Sequence, residues 1–176
     1  MNRSRVLFVL CGFLLLAPNI THAADETDVR VTVQRVFQQL KSRDYGSVYD
    51  SLPASSRTRM SRARFINALG RAQNMYVLDR IDVGRIKVAG NLAVVDTVLY
   101  GRVVSPIETD GKIVVQQYLV REEGKWRVAT GDNATIRRFL ASNPAFGRNF
   151  PIRQPRIYVK QNGNWVEFTA SRLPRR

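Results

Sequence analysis

The chain has 176 residues, and its 28 Lys and Arg stand against 14 Asp and Glu for a net charge of +14. That length suits one domain with an extension and excludes a long multidomain enzyme, while a basic balance speaks to partners and solubility rather than to fold. With 44% hydrophobic residues and no polar low-complexity tract, the chain can bury a core, which excludes disorder.

The N-terminus reads as an address. Arg3 and Arg5 precede an apolar run from Val6 to Leu16, and Thr21-His22-Ala23-Ala24 supplies a small-x-Ala junction before Asp25 and Glu26. A positive n-region, a short apolar h-region and such a junction predict a secretory signal peptide over residues 1–23, cleaved after Ala23. The apolar run is too short for a membrane anchor, which needs about 20 residues. Leu10 before Cys11 and the place of Cys11 inside the run argue against a lipoprotein. Cleavage removes the only cysteine, Cys11, and the only histidine, His22. The mature chain could then form no disulfide, thiolate or imidazole metal site, Ser-His-Asp triad or Cys-His pair.

From Thr27, the apolar positions Val29, Val33, Val36, Phe37 and Leu40 recur at helical spacing and predict an amphipathic first helix. Tyr45, Val48, Tyr49 and Leu52 give a second, shorter stripe ending at Pro53, with Asp44 as its cap. Ser61 caps a third helix through Phe65, Ile66 and Leu69. After Asn74 the period changes to that of strands. Val77–Val88 alternates, Leu92–Val104 is a valine-rich run expected to be covered on both faces, and Ile113–Arg121 with Trp126–Thr130 flank a hairpin turn. Three helices and then about four antiparallel strands predict an α+β domain over residues 24–132, its helices packed on one face of a curved sheet. Residues 133–176 form a basic, Pro-containing extension. Asp132 or Asn133 caps a short helix there, and Asn162-Gly163 centres a hairpin over 157–169. This hairpin echoes the earlier one at an offset of 39 residues, but shared turn chemistry accounts for that better than a repeat does.

Residues 29–131 resemble the nuclear-transport-factor-2-like (cystatin-like cone) superfamily, in its secreted bacterial branch of uncharacterised proteins. The features that carry the resemblance are Phe37-Gln38-Gln39-Leu40-Lys41-Ser42-Arg43-Asp44-Tyr45, the Ser61-x-x-x-Phe65 start of the third helix, and Gly124-Lys125-Trp126-Arg127-Val128. The resemblance implies a cone whose bent sheet wraps the helices and leaves a pocket at the open end. Enzymes of this fold commonly place Asp, Tyr or His in the cone, and with no mature histidine the stand-ins here are Asp96, Tyr49, Tyr100 and Tyr118. Burial among Val94, Val95, Thr97 and Val98 would raise the pKa of Asp96 toward that of a general base, whereas an ion pair with one of the many arginines would make it structural. No glycine-rich phosphate loop or calcium-loop spacing is present in the sequence, and no cofactor or metal is expected.

Between Asn133 and Arg176 stand nine basic residues and one acid, Glu167, so this segment alone carries +8. Arg137, Arg138, Arg148, Arg153, Arg156, Lys160 and Trp165 are its candidate binding residues, because guanidinium forks and aromatic rings suit phosphate and stacking contacts. The same arginines could instead lie along aromatic faces and keep a docked extension soluble. A second cluster, Arg57, Arg59, Arg62, Arg64 and Arg71, reads as a solvated helix surface. The sequence favours an exported, periplasmic or extracellular, non-enzymatic protein whose extension engages an anionic envelope lipid or glycan, or an acidic protein. Export argues against nucleic acid. The alternatives are a small-ligand binder or His-independent lyase or isomerase using the cone pocket, and a subunit of an envelope assembly.

Overall fold

The first apolar stripe lies on one long helix, α1 (Ile20–Lys41), in the computed structural model, which describes residues 20–105 and 108–168, with side chains omitted at 20–23 and 73. Residues 1–19, most of the segment read as a signal peptide, lie outside the described residues. Val29, Val33, Val36 and Phe37 of α1 are buried. α2 (Tyr45–Asp50) begins where the Asp44 carboxylate accepts the Ser47 N–H at 3.1 Å. α3 (Ala54–Arg59) and α4 (Arg62–Gln73) follow, and Ser61 Oγ caps α4 by accepting the Arg64 N–H at 3.4 Å. Four described helices therefore precede the first strand, not three. Periodicity gives no sign of α3 because it buries no side chain; its first turn is held instead by Glu122, whose carboxylate accepts the Ala54 N–H at 2.9 Å.

The strands are β1 (Tyr76–Ala89), β2 (Leu92–Val103), β3 (Thr109–Glu122), β4 (Lys125–Val128), β5 (Arg156–Gln161) and β6 (Asn164–Glu167). They form one antiparallel sheet in the order β1-β2-β3-β5-β6, with β4 also paired to β3. β1 slips register against β2 at Leu78/Arg80 and at Val83/Ile86. Such irregularities bend a strand and leave carbonyls without ladder partners. Here α1 supplies the donors: Lys41 Nζ donates to the Asp79 carbonyl at 2.6 Å and Arg30 Nη1 to that of Val83 at 3.0 Å. The bend brings β1 so close to β2 that a Cβ on Gly101 would stand 2.3 Å from the Val77 carbonyl oxygen. In the β3–β4 and β5–β6 turns, Glu123-Gly124 and Asn162-Gly163 all take positive φ, the geometry that two-residue hairpins require.

Because side chains alternate along a strand, β2 and β3 feed two cores. Ala93, Val95 and Leu119 join Val29, Val33, Val36 and Trp126 on the α1 face. Leu92, Val94, Tyr118 and Val120 face the other way, where Ile136, Phe139, Phe146, Phe150 and Ile152 cover them. Those covering residues belong to α5 (Asn133–Ala141), α6 (Pro144–Asn149) and the segment after them. The sheet is therefore a middle layer. The extension does not hang from it, since α5 and α6 cover one face and β5 continues the sheet through pairs running from Gly111–Val159 to Val114–Arg156.

Candidate functional site

The four residues proposed for a pocket do not converge. Asp96 alternates with Val95, so its side chain leaves the α1 face and emerges on the side that the extension covers. It is 44% exposed, pairs with Arg85 at 3.3 Å and accepts from Gln116 Nε2 at 3.5 Å. This carboxylate is a surface ion-pair partner, the structural one of the two readings that the sequence allows for it. Tyr118 lies on the same face but is buried, and its hydroxyl has the carbonyls of Pro151 at 2.9 Å and Phe150 at 3.1 Å and Gln116 Oε1 at 3.0 Å as acceptors. Burial raises its pKa. A phenol so placed ties the extension to the sheet. Tyr49 on α2 donates toward the carbonyls of Met60 at 2.9 Å and Arg57 at 3.1 Å and packs on Phe65, which locks α2 to the end of α3.

Tyr100 belongs to a ladder of cations and rings. Arg80 sits 3.6 Å over Tyr100, which meets Trp165 edge-on at 6.5 Å; Lys112 lies 4.6 Å over Trp165 and 5.2 Å over Tyr158, and Arg156 lies 5.9 Å over Tyr158. Trp165 and Arg156 are thus engaged by their own chain, as cation–π contacts along a sheet surface. Lys160 pairs with Asp110 at 3.4 Å. The remaining candidates differ. Arg137 and Arg138 project from α5 opposite the buried Thr135 and Ile136, and with Arg148 and Arg153 they are exposed and have no carboxylate within ion-pair distance among the described residues. In the second arginine cluster, Arg59 pairs with Asp132 and Arg62 with Asp50.

Two features escape sequence reading. The first is a polar latch around Asp132, the α5 cap. Its carboxylate accepts from Ser56 Oγ, Arg59 Nη2, the Thr135 N–H at 3.1 Å and Thr135 Oγ1 at 2.7 Å, and Ser55 Oγ lies 2.8 Å from Thr135 Oγ1. Burial alone would raise the pKa of Asp132, but the hydrogen bonds from Ser56 and Thr135 and the charge of Arg59 outweigh it and lower the value from 3.8 to about 2. The cap is legible in sequence, whereas partners 73 to 80 residues away are not. The second is an apolar cavity of about 340 Å³ on the α1 face. Leu99, Ile113 and Ile157 share its wall through the β2–β3–β5 register, and Val159 and Phe168 of the extension line it too. Among the described residues, no group of three or more Asp, Glu, His or Cys is placed to hold a metal ion.

These elements define an α+β protein built on a curved antiparallel sheet. Among solved structures it is similar to an NTF2-like transpeptidase from Campylobacter jejuni, with 13% identity and a TM-score of 0.41 over 57% of this chain and 96% of that one. No protein-family model and no curated protein matches the chain.

Proposed function

We propose that the chain is an exported member of the nuclear-transport-factor-2-like superfamily and a non-enzymatic binding protein, whose C-terminal extension engages an anionic component of the cell envelope. The observation that carries this reading is the set of four exposed arginines, Arg137, Arg138, Arg148 and Arg153, which have no carboxylate partner among the described residues, on a layer tied to the sheet by Tyr118 and to α3 by Asp132. A pre-ordered cationic surface loses little conformational entropy on binding, and each basic side chain brought near an anionic membrane contributes about 1 kcal/mol. Export is supported by the N-terminal pattern of Arg3, Arg5, the apolar run and the Ala23 junction. No described helix is long and apolar enough to cross a membrane, so attachment by this surface would be peripheral.

The test is sedimentation of the mature chain with phosphatidylglycerol vesicles, phosphatidylcholine vesicles and a sulfated glycan resin. Expected is binding to an anionic matrix that weakens steeply with salt and falls more than ten-fold when the four arginines become alanine. Salt-independent binding, or binding unchanged in the quadruple variant, overturns the reading.

A further inference from the structure

The docked layer covers only part of its side of the sheet. It closes over Leu92, Val94, Tyr118 and Val120, and further along the same strands that side is open to solvent. There the register sets one row of side chains across five strands: Arg80 of β1, Tyr100 of β2, Lys112 of β3, Tyr158 of β5 and Glu167 of β6. Directly paired residues point to the same side, so the row shares the side of Val94 and of the helices. Trp165 joins it from beside Lys160 and is 39% exposed. Among the described residues Lys112 has no carboxylate within ion-pair distance, whereas Arg80 pairs with Asp82 at 2.8 Å and Lys160 with Asp110 at 3.4 Å. The Lys112 ammonium instead lies 4.6 Å over Trp165 and 5.2 Å over Tyr158. Such contacts are weak where water has access, so an anion that draws the ammonium outward uncovers both rings at once.

This floor discriminates among anions. A helix is about 10 Å thick, so a flat bilayer resting on the arginines of α5 and α6 does not reach the row, while a single chain does. Asp82, Asp110 and Glu167 stand on the same side among the cations. They repel a strand with a phosphate at every residue, but they suit hydroxyl groups, which donate to carboxylates and accept from ammonium and guanidinium groups. The uncovered rings offer apolar faces to the C–H surface of a sugar. We propose that this row binds an acidic polysaccharide of sparse charge, one uronate carboxylate at Lys112 and the flanking sugars on Trp165 and Tyr158. The inference rests on reading the extension layer as an anion-binding surface and names the anion. Arg153, three residues before Arg156, continues the track from the row toward α6.

The experiment is calorimetric titration of the mature chain, at physiological salt, with a hyaluronan octasaccharide, in which uncharged and uronate sugars alternate. A chitin oligosaccharide of equal length is the uncharged control, and oligo-deoxythymidylate and phosphatidylglycerol vesicles are the densely charged ones. Expected is saturable hyaluronan binding at least ten-fold tighter than that of the chitin fragment. Lys112→Met, which keeps the stem and removes the charge, should weaken hyaluronan at least ten-fold and leave the chitin fragment unchanged. Trp165→Leu, at an exposed position, should weaken both sugars. Alanine at Arg137, Arg138, Arg148 and Arg153 should weaken hyaluronan as well. Hyaluronan binding that survives both Lys112→Met and Trp165→Leu overturns the site, and equal affinity for the two sugars overturns the uronate. Vesicle binding that needs the four arginines, without hyaluronan binding, overturns the polysaccharide and leaves the anion-binding surface standing. Hyaluronan binding that needs Lys112 and Trp165 but not those arginines supports the row and overturns the arginine reading. Oligo-deoxythymidylate binding that needs Lys112 and Trp165, without hyaluronan binding, also overturns the polysaccharide.

Discussion

The two faces of the sheet are covered by different means. On one, α1 lays a stripe of valines against β1, β2, β3 and β4, and polar contacts flank the stripe: Arg30 and Lys41 donate to the carbonyls of Val83 and Asp79, and Asp25 pairs with Arg121. On the other, two short helices bring larger and partly exposed side chains, Phe139, Phe146 and Phe150, and are pinned by polar groups, the Tyr118 hydroxyl and the Asp132 carboxylate. A long helix can be held by its stripe alone, because each turn adds another buried residue. Helices of nine and six residues cannot, and hydrogen bonds must fix where they sit. Apolar cover supplies most of the stability on the α1 face; directional bonds supply position on the extension face.

The sharpest way to break this contrast is to remove comparable apolar groups from each face. Leu119→Ala empties a fully buried position on the α1 face and should cost about 3 kcal/mol in urea unfolding, with every probe losing stability together. Ile136→Ala, equally buried on the extension face, should cost somewhat less in the same measurement. Hydrogen exchange should then speed up across residues 133–152 while α1 keeps its protection. If both variants loosen the whole molecule equally, the two layers are one cooperative unit and the contrast fails.

The latch gives a pH signature. The folded pKa of Asp132 lies below its ordinary value, so the stabilisation is fully present above about pH 4 and is lost as pH falls toward 2. Its side chain is 15% exposed, and the shift corresponds to about 2 kcal/mol. Urea unfolding between about pH 5 and pH 2 should show this loss in the parent. Asp132→Asn should start lower at pH 5 and lose correspondingly less. Parallel pH curves for the two proteins would show that the carboxylate does not hold the extension.

How much of this was legible beforehand depends on how local each cause is. The stripe Val29–Val33–Val36–Phe37, the caps at Asp44, Ser61 and Asp132 and the Asn162-Gly163 turn are written within a few residues of where they act, and each appears in the structure as the sequence predicts. Of the run Leu92–Val104, expected to be covered on both faces, only Leu92–Val95 and Thr97 are buried, while Asp96, Val98–Gly101 and Val103 are half-buried and Arg102 and Val104 exposed. α3 is invisible because it has no apolar stripe, and the docking of residues 133–152 onto the sheet depends on Tyr118 meeting carbonyls more than thirty residues away. The surroundings of Asp96 are hidden for a similar reason. An aspartate among valines looks buried in one dimension, yet alternation turns every second side chain to the opposite face.

Tyr118→Phe tests position rather than burial. The ring stays and one hydroxyl goes, so the expected cost is about 1 kcal/mol in urea unfolding. Exchange protection should fall mainly between residues 146 and 152, where its acceptors lie. A global loss of several kcal/mol would mean that the hydroxyl organises the core as well as the extension.

The smallest effect is expected at the residue that looked most chemical. Asp96 pairs with Arg85 across exposed surface, and such pairs contribute about 0.5 kcal/mol or less, diminishing with salt. Asp96→Asn should therefore shift the urea midpoint barely at all. Arg85→Ala should behave the same way, and the double variant should equal either single one to within a few tenths of a kcal/mol. A large loss of stability in Asp96→Asn would mean that its bond from Gln116, which also accepts from the Tyr118 hydroxyl, helps to hold the docked layer on the extension face.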